Sequence, residues 1–112
     1  MEIQFWEIFL ANLDPVKWNE QWWLRPVLVF QKTSLNTIFN TVFILPITSN
    51  LKAKWYMLTY FLDKKITNLD KDSICLIFQP RTIARERLIK KIWQIKGIDL
   101  KNIRNELEKL YW

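Results

Sequence analysis

A chain of 112 residues, half hydrophobic and a quarter charged, has the material for one core and a single domain over residues 1–112. Seventeen Lys and Arg against eleven Asp and Glu leave a net charge of +6, which favours a polyanionic partner. With no His and one Gly, the sequence excludes a Ser-His-Asp triad, a His-Cys dyad, a His-ligated zinc site, a P-loop and a dinucleotide fingerprint. Any catalysis must therefore run on Arg, Lys, Ser, Thr, Tyr and carboxylates. A lone cysteine, Cys75, excludes an internal disulfide framework and suits a reducing cytoplasm. The longest apolar runs, such as VFILPI from Val42, are strand-sized, and the opening MEIQFWEIF lacks a basic region followed by an apolar one; neither a membrane span nor a secretory signal is expected.

In chain order, FWEIFLA (Phe5 to Ala11) is a strand candidate, and residues 13–23 form a polar connection crowded with Trp18, Trp22 and Trp23. LRPVLVFQ (Leu24 to Gln31) reads as a β-branched strand with Pro26 near its start, where a missing N–H is tolerated. KTSLNTIFN offers one helical turn capped by Thr33 or Ser34. Asn40 to Ile47, Tyr56 to Leu62 and Asp72 to Gln79 complete five strands, with NLDKD (Asn68 to Asp72) as a turn. The spacing of Leu88, Ile92 and Ile95 then predicts a helix in RERLIKKIWQI, and Asp99 an N-cap for a second, with Leu100, Ile103, Leu107 and Leu110 as its apolar stripe. The expected fold class is mainly β and antiparallel, a small sheet or barrel with a C-terminal helix packed on it.

Arg25 precedes the apolar PVLVF and cannot enter the core without a partner, so it should project at the strand's mouth. Its planar fork of donors fits two phosphate oxygens at once. PITSN (Pro46 to Asn50) ends the next apolar strand with a hydroxyl, Thr48; if the two strands pair, Arg25 and Thr48 meet at one rim of the sheet. From residue types alone, a rim salt bridge for Arg25 and a turn cap for Thr48 are the favoured reading. The basic concentration lies in residues 81–96, where Arg81, Arg85, Arg87, Lys90, Lys91 and Lys96 oppose only Glu86. That segment could track a nucleic-acid backbone or be a solvated face. Gln79 and Arg81, at a strand end, are the better binding candidates. Cys75 reads as a small core residue, since no base accompanies it, and Asp70 and Asp72 as turn chemistry.

WEIFLANLDPVKWNEQ, LRPVLVFQ, PITSN, KDSICLIFQPRTI and RERLIKKI, in this order and spacing, together resemble the MazF/PemK (Kid) family of toxin ribonucleases. The resemblance implies an SH3-like barrel, a homodimer and metal-independent cleavage of single-stranded RNA at short sequences, with no cofactor. It also implies a cognate antitoxin whose disordered acidic tail covers the RNA groove. Catalytic roles carry over to Arg25 and Thr48, and RNA-binding positions to Asn19, Glu20, Gln21, Gln79 and Arg81. The implied reaction is attack by the ribose 2′-OH on its own phosphate, leaving a 2′,3′-cyclic phosphate and a 5′-OH. Phe78, where many relatives carry an acid, and Ala84, in place of a common Asp, bear on the RNA sequence recognised rather than on the chemistry. A non-catalytic partner-binding toxin and a basic RNA-binding module on the same barrel are the competing functions.

Relatives of this type carry Gly at the positions of Trp6, Trp18, Trp22 and Trp23, and often at Trp55 and Trp93. Average usage of about 7% calls for roughly eight glycines in such a chain, and one Gly with seven Trp matches that number. The pattern is the one expected if UGA codons that mean Gly in the source have been translated as Trp. Real tryptophans stacking on bases would be the rival explanation for Trp22 or Trp23.

Overall fold

Apolar runs of four to eight residues become strands here, and their mutual register sets the fold. The computed structural model describes residues 2–13 and 24–111. In order these form β1 (Glu7–Asn12), β2 (Leu24–Val29), α1 (Thr33–Asn36), β3 (Thr41–Thr48), β4 (Thr59–Leu62), α2 (Lys64–Thr67), β5 (Ser73–Leu76), β6 (Arg81–Ala84), β7 (Leu88–Gln94) and α3 (Gly97–Glu108). Two 3-10 turns, Leu51–Trp55 and Arg85–Arg87, complete the elements.

The strands form one antiparallel sheet in the order β4-β5-β3-β2-β1-β7, with β6 pairing β3. β3 is the hub. Its first half pairs with β6 and its end with β5, while β2 runs beside its middle. Neighbouring residues of a strand point to opposite faces, so β1 sends Ile8 into one buried cluster and Phe9 into another. The first cluster joins Ile8, Leu28, Leu45, Leu62 and Cys75 to Ile103 of α3. The second joins Phe9, Val27, Val29, Val42, Ile44 and Ile83. The mainly β, antiparallel architecture with a C-terminal helix agrees with the expectation from sequence.

Residues 85–95 depart from it. They form no helix: a short 3-10 turn leads into β7, an edge strand against β1. Leu88 packs in the second cluster and Ile92 and Ile95 on the first, so the strand does not keep on one side the residues whose helical spacing suggested a single face. Two register shifts in the β1–β7 ladder disturb strict alternation further. Exposed Lys90 and Lys91 are what an edge strand carries to resist pairing with another chain. The basic residues of this stretch are also partly structural. Arg85 Nη1 donates to the Asn36 carbonyl, Arg87 Nη1 to the Asn12 carbonyl at 3.0 Å, and Lys91 pairs with buried Glu7 at 2.6 Å.

The expected caps are likewise displaced. α1 begins after Lys32, and the Thr33 hydroxyl instead accepts the backbone N–H of Phe5 at 2.9 Å. α3 begins at Gly97, whose φ of +62° places it in the left-handed region, and Asp99 sits inside its first turn. Leu100, Ile103 and Leu107 pack on the first cluster, whereas Leu110 stays exposed. Asp99 Oδ1 accepts the Tyr60 hydroxyl at 2.6 Å, tying α3 to β4. Burial and that acceptor raise the Tyr60 pKa above its usual 10.0. A phenol with a raised folded-state pKa stabilises the fold below the unfolded value and loses that contribution as pH climbs through the folded one. Wild type should therefore exceed Tyr60→Phe in stability by about 1 kcal/mol at neutral pH, the margin closing above pH 10, in paired denaturant titrations. A constant margin across that range would refute the assignment.

Position 6 is sterically unusual. Trp6 has φ +70° with its side chain 2% exposed. Its backbone N–H donates to the Val29 carbonyl at 2.7 Å and its carbonyl accepts from the Ile95 N–H at 3.0 Å, clamping the residue between two strands. Trp55 and Trp93 are 79% and 49% exposed without positive φ. Trp18, Trp22 and Trp23 lie outside the described residues. No helix of the described residues is long and apolar enough to cross a membrane.

Candidate active site

The rim expected from sequence exists. β2 and β3 pair antiparallel with Val27 opposite Pro46, so continuing that register by two residues brings Arg25 opposite Thr48. On its other side Arg25 faces Ala11 of β1. Arg25 and Thr48 line one open cleft of about 600 Å³ together with Ser49, Asn50, Asp70 and Lys71. Pro26 suits the place, because the ladder to β3 starts only at Val27 and a missing N–H costs nothing there.

Each side chain is set by local bonds. Arg25 is exposed, and its Nη1 donates to the Leu24 carbonyl at 3.0 Å, laying the guanidinium back along its strand. The Thr48 hydroxyl oxygen accepts the Asn50 N–H at 3.1 Å, which directs its own proton away from that turn. Asn50 Oδ1 accepts the Lys52 N–H at 3.1 Å and caps the 3-10 turn that follows. The TSN triplet thus closes its own turn as it presents the threonine. Asp72 Oδ1 accepts the Lys64 N–H at 2.9 Å, tying the segment before β5 to the start of α2 instead of closing a local turn. That bond fixes the segment before β5, and β5 pairs with the end of β3 at Thr48 and Ile74. Asp70 and Lys71 are thereby carried to the cleft, although the sequence read them only as part of a turn.

The other candidates lie elsewhere. Gln79 is exposed, its backbone N–H bonded to the Leu76 carbonyl at 3.1 Å. Arg81 opens β6 opposite Ile44 and lines a second cavity of about 660 Å³ with Phe5, Phe43, Pro80, Arg104 and Tyr111. Within one chain Arg81 therefore does not join the Arg25 cleft. Asn19, Glu20 and Gln21 lie outside the described residues. Cys75 is fully buried in the core, as expected, and burial pushes its thiol pKa far up, so it supplies no nucleophile.

Among the described residues the cleft combines an arginine fork, hydroxyl and amide donors, an ammonium and one carboxylate. Such a set can hold a phosphodiester and stabilise charge building on its oxygens.

Comparison with known proteins gives the same direction. The sequence profile of the PemK-like, MazF-like toxin of type II toxin-antitoxin systems matches residues 4–111. The chain is 30% identical over 102 residues to "Endoribonuclease MazF" of Staphylococcus saprophyticus, covering 91% of this chain and 85% of that protein. Among solved structures it resembles MazF from Deinococcus radiodurans, with a TM-score of 0.78 at 22% identity over 98% of this chain and 96% of the other. Mycobacterium tuberculosis toxin MazF-mt6 gives a TM-score of 0.77 at 18% identity over 94% and 95%. A MazE-MazF structure from Deinococcus radiodurans gives 0.76 at 19% identity over 98% and 96%. At these identities the structures speak for the fold, and the profile and the staphylococcal relative for the family. The chain belongs to the PemK-like, MazF-like toxin family of type II toxin-antitoxin systems.

Proposed function

We propose that this protein is an endoribonuclease toxin that cuts single-stranded RNA at short sequences and is neutralised by a cognate antitoxin. The observation that carries this reading is the convergence of Arg25 and Thr48 on one polar cleft through the β2–β3 register. In the reaction, the ribose 2′-oxygen attacks its own phosphorus and the bond to the 5′-oxygen breaks, giving a 2′,3′-cyclic phosphate and a 5′-OH. Arg25 clamps the phosphate and stabilises charge on its equatorial oxygens, and the Thr48 hydroxyl donates to the same centre. No step calls for a metal ion. Gln79 and Arg81, with Asn19, Glu20 and Gln21, contact the flanking RNA, reading unstacked bases by their edges or holding the backbone. Because Arg81 stands apart from the Arg25 cleft within one chain, the protein acts as a homodimer whose RNA path crosses both chains. It works in the cytoplasm, where its RNA substrate is, and the net charge of +6 attracts both RNA and an acidic antitoxin tail.

The test is digestion of a long single-stranded RNA in excess EDTA, using the chain as written and a form with Gly at Trp6, Trp18, Trp22, Trp23, Trp55 and Trp93. Cuts at one short motif leaving 5′-OH ends are expected. No cutting by folded, dimeric protein of either form would overturn the nuclease reading in favour of a non-catalytic binding module.

A further inference from the structure

Transesterification of RNA needs a group to receive the 2′-OH proton, and the two residues assigned to the chemistry cannot serve. A guanidinium stays protonated at every working pH, and a threonine hydroxyl is neutral and weakly basic. Of the other described residues lining the cleft, Lys71 is a cation. Asn50 spends its side-chain oxygen on the Lys52 N–H, and the Ser73 hydroxyl donates to the Lys71 carbonyl at 3.0 Å. Asp70 is the one carboxylate among them. Its neighbour Asp72 is held by the Lys64 N–H, whereas Asp70 is exposed at the cleft wall.

On the basis of the nuclease reading above, we propose that Asp70 is the catalytic base, with Lys71 beside it offsetting phosphate charge. The 2′-OH proton passes to the Asp70 carboxylate as the 2′-oxygen bonds to phosphorus. The bond from phosphorus to the 5′-oxygen breaks, and that oxygen takes a proton from water in the open cleft. General-base assistance is worth on the order of 10²–10⁴ in rate. Asp70 lies in a solvent-facing turn, so its replacement leaves the core untouched.

The experiment compares wild type, Asp70→Asn, Asp70→Glu and Glu20→Gln for cleavage of one short RNA across acidic to neutral pH. It also measures binding of the same RNA carrying 2′-deoxyribose at the cut. Asp70→Asn should slow cleavage at least about 100-fold and abolish the rise in rate with pH on the acidic side. Binding of the deoxy substrate should be unchanged, and Asp70→Glu should restore part of the rate. Cleavage by Asp70→Asn close to the wild-type rate, or loss of the acidic rise in Glu20→Gln alone, overturns the assignment of Asp70 and leaves the nuclease reading intact. Failure of wild type to cleave would instead overturn that reading, and Asp70's role with it.

A separate observation carries a second inference, about the polypeptide itself. A non-glycine residue at φ near +60° is uncommon and a bulky one a genuine outlier. Trp6 adopts φ +70° between two strands, a left-handed backbone that Leu58 at +56° and Asn68 at +59° share, but it is Trp6 whose Nε1 is the buried side-chain nitrogen or oxygen without a hydrogen-bond partner among the described residues. The chain's only glycine, Gly97, adopts a similar φ of +62°. We infer that the native residue at position 6 is glycine. Mass spectrometry of the protein isolated from its own cells tests this directly: the peptide spanning position 6 should carry Gly, and Trp there overturns it.

Discussion

Arg25→Ala should lower the rate of RNA cleavage by about 10²–10³ while leaving the fold intact, since a donor aimed at transition-state charge is worth that much. Arg25 is exposed and belongs to neither buried cluster. Thermal midpoints of mutant and wild type should therefore coincide. Arg25→Lys separates charge from geometry: an ammonium keeps the charge but lacks the planar fork that meets two phosphate oxygens, so its activity should fall between the two. Single-turnover cleavage of one RNA in excess EDTA, with melting curves of all three proteins, checks the set. Arg25→Ala cutting at the wild-type rate would remove this residue from the chemistry.

The largest loss of stability from a single polar side chain is expected at Asn36. This residue is 1% exposed, and its Nδ2 donates to the carbonyls of Ile3 at 2.9 Å and Gln31 at 3.2 Å. Its Oδ1 accepts from Gln31 Nε2 at 2.8 Å, and Gln31 in turn reaches Thr41 and Phe43 of β3. One buried amide thus holds the N-terminal segment, the end of β2, α1 and β3 together. Replacement by Ala leaves several buried groups without partners, each costing about 1–3 kcal/mol, so the total should be about 3 kcal/mol or more. Asn36→Asp should be no better, because a carboxylate cannot donate to the two carbonyls. Denaturant unfolding of Asn36→Ala reads the effect, and a change under about 1 kcal/mol would mean that the network tolerates water or rearranges.

By itself the sequence determined the fold class, the strands of the first two thirds of the chain and the C-terminal helix. Those elements carry their signals locally, in β-branched runs such as PVLVF and in the stripe of Leu100, Ile103 and Leu107. Its family motifs also named Arg25 and Thr48 as the pair to examine. Only the tertiary structure decided that residues 88–94 are a strand, because the bulged ladder against β1 sends Leu88 to one cluster and Ile92 to the other, a pattern with no period of its own in the sequence. It decided, too, that Thr33 serves Phe5 instead of capping α1, that Asn36 belongs to a buried lattice, and that Asp70 reaches the cleft of Arg25. Each of these depends on which strand lies beside which, a long-range choice made by burying two apolar faces at once. No local stretch of residues encodes that choice on its own.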